Sequence, residues 1–167
     1  MIPCNSTREH SVTKARIKWA KMDKIQRRKG GLIMQSAQAY IYMENCKENM
    51  EWYAAIFQGK LQNIQFADQN KKPCQENEGE YILHGELVIG DSLIHFCDPF
   101  EPKKQGNHIQ IVLKFDHENE IHSVYDKLSK DGHIIMPLQE IFWNSIHGHV
   151  VDRNGIPWIL DYQKVSM

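Results

Sequence analysis

One order of elements runs through this chain twice, and that repetition limits the folds open to it more than any single motif does. Residues 38–43 (QAYIYM) are aromatic and aliphatic, which predicts a strand. Asn45, with Glu48 three residues on, has the form of a capping box. Met50, Tyr53, Ala54 and Phe57 then follow at i, i+3, i+4 and i+7, the stripe of an amphipathic helix that Gly59 closes. Residues 61–66, 81–89 and 92–97 read as strands, the last two joined as a hairpin at Gly90-Asp91, with a polar loop over 67–79. A linker with two prolines and a glycine covers residues 98–107. The order then repeats. A strand is expected from His108 to Phe115, with Asp116 as the next N-cap. Ile121, Val124, Tyr125 and Leu128 give the helical stripe, Gly132 stops it, and strands follow at 133–136, 146–151 and 157–162.

Matching landmarks are similarly offset: 70 residues from Gln38 to His108, 73 from Gly59 to Gly132 and 65 from Gly90 to Gly155. Equal order at a near-constant offset indicates internal duplication. Each half is too small to bury a core well alone. The expected fold is α+β: two βαβββ modules, residues 37–97 and 108–163, whose strands form a curled mixed sheet around a cleft, where ligand sites concentrate.

The chain has 167 residues, within the range of one domain. No apolar run approaches the ~20 residues of a membrane span, and the N-terminus lacks the apolar core of a signal peptide. The expectation is a cytoplasmic protein with no membrane partner. Cys4, Cys46, Cys74 and Cys97 form no CxxC pair and read as reduced thiols. Charge is uneven: residues 1–33 carry nine Lys/Arg and two Asp/Glu, a net +7, whereas the whole chain is −1. A basic arm of this kind suits a nucleic-acid tail or a membrane tether. Lys29-Gly30-Gly31 can equally be encoded by a ribosome-binding sequence at the right distance from Met34. Residues 1–33 are therefore read as translated leader outside the fold, and residues 34–167 as the domain. The acidic body has no Lys/Arg groove with interleaved aromatics, so no nucleic-acid partner is expected.

Several short motifs add a family. The second half carries Met136-Pro137-Leu138-Gln139-Glu140-Ile141-Phe142-Trp143, then Gly148, then Asp152-Arg153-Asn154-Gly155-Ile156-Pro157-Trp158. The first half carries Ala39-Tyr40-Ile41-Tyr42, Trp52-Tyr53, Phe57-Gln58-Gly59, and Leu83-His84-Gly85-Glu86-Leu87 before Gly90-Asp91-Ser92. In that order, over residues 37–163, these resemble the PhnB-like branch of the glyoxalase/bleomycin-resistance/dioxygenase (vicinal oxygen chelate) superfamily. Asn144 stands where the family usually has Gly, Ile146-His147 where Arg-Tyr is common, and Arg153 where proline is usual. The resemblance implies a homodimer that binds a small molecule in a cleft. Family members are often labelled methyltransferases, but no glycine-rich loop follows a strand here as that cofactor would require.

In the superfamily a divalent metal is held by His, Gln and Glu side chains from four strands, acting as a Lewis acid. By this resemblance the ligand positions fall on Gln38, His108 and His95, and the eighth-strand position falls on Ile159, which has no donor atom. That loss weighs against a bound metal. His84 and Glu86 share one face of a strand, and a His beside a carboxylate suits a general base with its orienting partner; a solvated cross-strand pair is the alternative. The expected cleft lining is Gln38, Tyr40, His84, His108 and Trp143, and the expected catalytic pair is His84 and Glu86. His147 and His149 also share a face, as ligands or as a polar surface. Two functions stay open: an enzyme of lyase, isomerase or dioxygenase type on an oxygen-rich small molecule, or a sequestering protein of the bleomycin-resistance kind. Deleting residues 1–33 should leave the melting temperature unchanged in a thermal scan; a fall of several degrees would show that this segment packs on the domain.

Overall fold

The computed structural model describes residues 36–79, 81–104, 106 and 108–164; the segment 1–33 lies outside the described residues. The described residues form nine strands and two α-helices in the order β1 (Ala39–Tyr42), α1 (Cys46–Phe57), β2 (Lys60–Ala67), β3 (Pro73–Cys74), β4 (Tyr81–Ile89), β5 (Ser92–Cys97), β6 (Ile111–Phe115), α2 (Glu118–Ser129), β7 (His133–Ile141), β8 (Ser145–Val151) and β9 (Pro157–Gln163). The first sheet runs β1-β5-β4-β2-β3 and the second β6-β9-β8-β7. In each, the outer strand pairs in parallel with the last strand of its module and the remaining neighbours are antiparallel. This is the duplicated α+β fold expected from element order. The sheets are two mixed sheets rather than one continuous one.

The registers align the modules residue by residue. Ile94 on β5 stands between Ala39 and Leu87, and Trp158 on β9 stands between Ile111 and Val150. Leu87 therefore matches Val150, and His84-Gly85-Glu86 matches His147-Gly148-His149. Gly85 and Gly148 occupy equivalent places for one steric reason. A Cβ on Gly85 would lie 2.2 Å from Met50 Cε of α1, and one on Gly148 would lie 3.0 Å from Leu138 and 3.3 Å from Tyr125 of α2. In each module the helix closes onto its strand at a residue without a side chain, so the flanking polar residues point to the other face.

Four boundaries differ from expectation. Asn45 caps α1 with no side-chain hydrogen bond and adopts φ 51°; Asp98 Oδ1 instead accepts the Cys46 N–H at 3.2 Å. His117, not Asp116, precedes α2. β6 starts at Ile111, not His108, because the linker runs on through an exposed bend at His108. β7 runs to Ile141 through Pro137, which an edge strand tolerates, with a register shift around it. The loop over 67–79 also adds the two-residue edge strand β3.

The two modules meet at aromatic side chains. Tyr53 and Trp158, both fully buried, have ring centroids 5.7 Å apart, and Phe57 lies edge-on to Trp158 at 5.2 Å. Beneath them Asp152, 3% exposed, collects four donors. Its Oδ2 accepts the Tyr53 hydroxyl at 2.5 Å and the Trp158 indole N–H at 2.7 Å, and its Oδ1 accepts the backbone N–H groups of Asn154 and Ile156 at 2.8 and 3.0 Å. Replacing Asp152 by Ala strands several of these donors, so denaturant unfolding should show a loss of about 3 kcal/mol or more. Tyr53→Phe, which removes one donor, should cost about 1–2 kcal/mol. An Asp152→Ala protein as stable as wild type would show that the hub is not needed.

Candidate active site on the first sheet

The side chains on the face of β4 and β5 turned away from α1 form one connected polar centre. Glu86 and His95 are direct cross-strand partners, and Tyr40 on β1 is the partner of His95 on its other side. His84 Nε2 lies 3.2 Å from Glu86 Oε1, and the Tyr40 hydroxyl lies 3.4 Å from His84 Nδ1. Tyr40 stacks on His95 with ring centroids 5.6 Å apart and planes 11° from parallel. Gln38, just before β1, accepts a hydrogen bond from His95 Nε2 at 2.7 Å through Oε1. Five of the expected site residues, Gln38, Tyr40, His84, Glu86 and His95, are thus brought together by one sheet.

The hydrogen bonds fix the proton positions. Gln38 Oε1 can only accept, so His95 carries a proton on Nε2 and, as a neutral ring, presents a lone pair at Nδ1. That Nδ1 is buried without a hydrogen-bond partner and faces Glu86 Oε1 at 3.9 Å. Glu86 is held by Gln62 Nε2 at 2.9 Å, Asn63 Nδ2 at 2.7 Å and His84. The Gln62 hydrogen bond, followed by those of His84 and Asn63, lowers its carboxyl to a pKa of about 2. Glu86 is therefore an anion at any physiological pH and a poor proton acceptor. It orients His84, which donates from Nε2 and accepts from Tyr40 at Nδ1. Burial, and then Cys97, raises the Tyr40 phenol to about 12, so it keeps its proton.

The described residues contain one group of three His, Cys, Asp or Glu donors close enough to share an ion: His84, Glu86 and His95, with ligand atoms within 4.8 Å of one another. Two imidazoles and a carboxylate are a common ligand set for zinc and non-haem iron. The buried Nδ1 of His95, unpaired and aimed at a carboxylate oxygen, fits a cation there. Of the ligand positions the resemblance implies, only His95 belongs to this group. Gln38 is engaged with His95 Nε2, behind the position a metal would take. His108 is exposed, and none of the cluster's hydrogen bonds among the described residues reaches it. The register places Gln110 at the position matching Gln38, and its buried Oε1 lacks a partner. Counting offsets by landmark missed this by two residues, because the linker and β6 carry no local signal that fixes register.

Trp143 also lies elsewhere, half exposed in the β7–β8 turn with its ring 6.3 Å from His147. On the second sheet His147 Nδ1 lies 3.2 Å from Asp161 Oδ1, and His147 Nε2 lies 2.9 Å from His149 Nε2. Burial and then His147 hold His149 below the usual imidazole range. A separate cleft of about 390 Å³ lies between the modules, lined by Ile56, Phe57, Ile89, Leu113, Phe115 and Val124. It shares no residue with the histidine centre.

The family model described as Glyoxalase/Bleomycin resistance protein/Dioxygenase superfamily matches residues 35–160. The chain belongs to that superfamily. Protein YjdN of Escherichia coli (strain K12) is 26% identical over 131 residues, covering 72% of this chain and 89% of that protein. Two solved structures share the fold closely: protein PA1353 from Pseudomonas aeruginosa, with TM-score 0.64 and 24% identity over 78% of this chain and 100% of that one, and a PhnB protein from Bacillus cereus, with TM-score 0.65 and 23% identity over 77% and 99%. The fosfomycin resistance protein FosX from Mesorhizobium loti shares it at TM-score 0.53 and 12% identity, over 77% and 91%. The superfamily read from the motifs is thus matched by the family model, and the PhnB protein shares the fold.

The low Glu86 pKa has a pH consequence. A carboxyl depressed in the folded state contributes stability that is fully present above its unfolded value and is lost as pH falls toward the folded value. Its window here runs from about 4.5 down to about 2. A carbon-detected NMR titration should place the Glu86 midpoint near the lower figure, and Glu86→Gln should remove that part of the acid dependence. A midpoint near 4.5 would show that the Gln62, Asn63 and His84 hydrogen bonds do not form.

Proposed function

We propose that this chain binds a small oxygen-rich molecule at a divalent-metal centre held by His84, Glu86 and His95. The observation that carries this reading is the buried, unpaired His95 Nδ1 facing the ionised Glu86 carboxylate beside His84. A bound metal would supply Lewis-acid polarisation of the ligand's oxygens. The chain's own residues supply the rest. Gln38 holds His95 in the tautomer whose Nδ1 is free, and Glu86 sets the orientation of His84. Tyr40, which keeps its proton, can donate to a ligand oxygen. The metal reading takes His84 and Glu86 as ligands, in place of the expected roles of base and orienting partner. It favours chemistry of the lyase, isomerase or dioxygenase type.

A second reading, ligand sequestration without turnover, is favoured by Ile159. It stands directly across from His149 on the second sheet, where the resemblance implies a metal-binding glutamate, and offers no donor. A homodimer belongs to both readings. Among the described residues β1 and β6 are edge strands, each paired on one side, and carry exposed Tyr42 and Val112. No helix among the described residues is long and apolar enough to cross a membrane.

Adding Zn²⁺ to protein labelled with ¹⁵N at histidine should shift the ring nitrogen signals of His84 and His95. The change should disappear in His95→Ala and weaken about 10–100-fold in Gln38→Ala, the loss expected for a residue behind a metal ligand. Unmoved His84 and His95 signals at saturating Zn²⁺ would sink the metal centre. Where they do move, turnover of a vicinal-oxygen substrate separates the enzyme from the sequestering protein.

A further inference from the structure

We propose that His147 and His149 on the second sheet form a separate site for a borderline divalent transition ion such as Zn²⁺, Ni²⁺ or Co²⁺, bound through their Nε2 atoms. These two atoms lie 2.9 Å apart in a hydrogen bond, so the ion would take the place of the one proton they share. Two nitrogens about 2.0–2.1 Å from a tetrahedral Zn²⁺ stand about 3.3 Å apart, so a few tenths of an ångström of ring adjustment would admit the ion. Alternation along β8 puts both rings on the face opposite the one where Gly148 lies against Leu138 and Tyr125.

Asp161 directs the chemistry. Its Oδ1 lies 3.2 Å from His147 Nδ1, so that nitrogen carries the proton and Nε2 is left with its lone pair. A carboxylate behind an imidazole raises the ring's basicity and fixes its orientation, the arrangement found behind metal-ligating histidines. Asp161 and His147 are direct cross-strand partners, so β-sheet register holds the pair rather than a mobile loop. Trp143 stands edge-on beside His147, and Ile159, across from His149, adds no donor. Two protein nitrogens leave the other coordination positions for water or a ligand. Imidazole donors favour Zn²⁺, Ni²⁺ and Co²⁺ over the oxygen-seeking Mg²⁺ and Ca²⁺. The site occupies the place on the second module that His84 and Glu86 occupy on the first, yet shares no residue with them.

The test uses the full chain. Histidines of the unmutated protein are modified with diethyl pyrocarbonate with and without Zn²⁺, and each is read by mass spectrometry. Zn²⁺, but not Mg²⁺, should protect His147 and His149. Calorimetric Zn²⁺ titration of a His95→Ala protein, which isolates this site, should still show binding. Adding Asp161→Asn to that protein should weaken it about 10–100-fold, and adding His149→Gln should abolish it. Equal modification of His147 and His149 with and without Zn²⁺ overturns the proposal. Equal protection by Mg²⁺, or an affinity untouched by Asp161→Asn and His149→Gln, also overturns it. Protection confined to His84 and His95 overturns this site while upholding the first.

Discussion

The carboxylate of Asp152 is the point on which the two modules depend. A buried anion is costly unless its lone pairs are filled, and here two side-chain and two backbone donors fill them. The donors come from both halves of the chain: Tyr53 from the first helix, and Trp158, Asn154 and Ile156 from the last hairpin. The same Tyr53 and Trp158 rings, with Phe57, form the apolar contact between the modules. Polar and apolar cohesion therefore act through the same side chains. Asp152-x-x-Gly155-x-x-Trp158, part of what makes the chain resemble its family, is in this light a structural device. Gly155 at φ 78° turns the chain, Trp158 returns its indole to the carboxylate, and Tyr53 closes the contact from the other module.

Two departures from the family pattern are absorbed by the same geometry. Asn144 replaces the usual glycine at φ 61°, a left-handed conformation that asparagine adopts more readily than most residues. Arg153 replaces the usual proline, reaching back to Asn49 Oδ1 at 3.2 Å and covering the Trp52 ring at 4.3 Å. It packs the final turn onto the first helix. Neither change touches the histidine centre.

Duplication also explains where chemistry can arise. In each module one face of the sheet is committed to its helix, and glycine at the middle of His-Gly-Glu and His-Gly-His permits that approach. The opposite face carries the polar residues of both segments. One segment became a carboxylate held by three side chains beside two imidazoles; the other became two imidazoles in contact, backed by an aspartate on the next strand. The same backbone positions thus present two different sets of polar side chains.

How far the sequence led depends on the range of each interaction. Strand alternation, helical stripes, the terminal glycines and the order of elements are local properties, and they defined both modules and the α+β class. They also put His84 and Glu86 on one face, since alternation along a strand needs no tertiary information. Partners across strands were not legible. The pairing of Glu86 with His95, the hydrogen bond from His95 to Gln38, and the join of His147 to Asp161 all depend on register, which is set by packing and turns far from these residues. His108 and Gln110 show the limit: two residues of slack in a linker moved the expected ligand from one to the other. The sequence by itself determined what each segment would be and which side chains would share its faces. Only the tertiary structure decided which faces met, because a slip of one residue in strand pairing exchanges every side chain between core and surface.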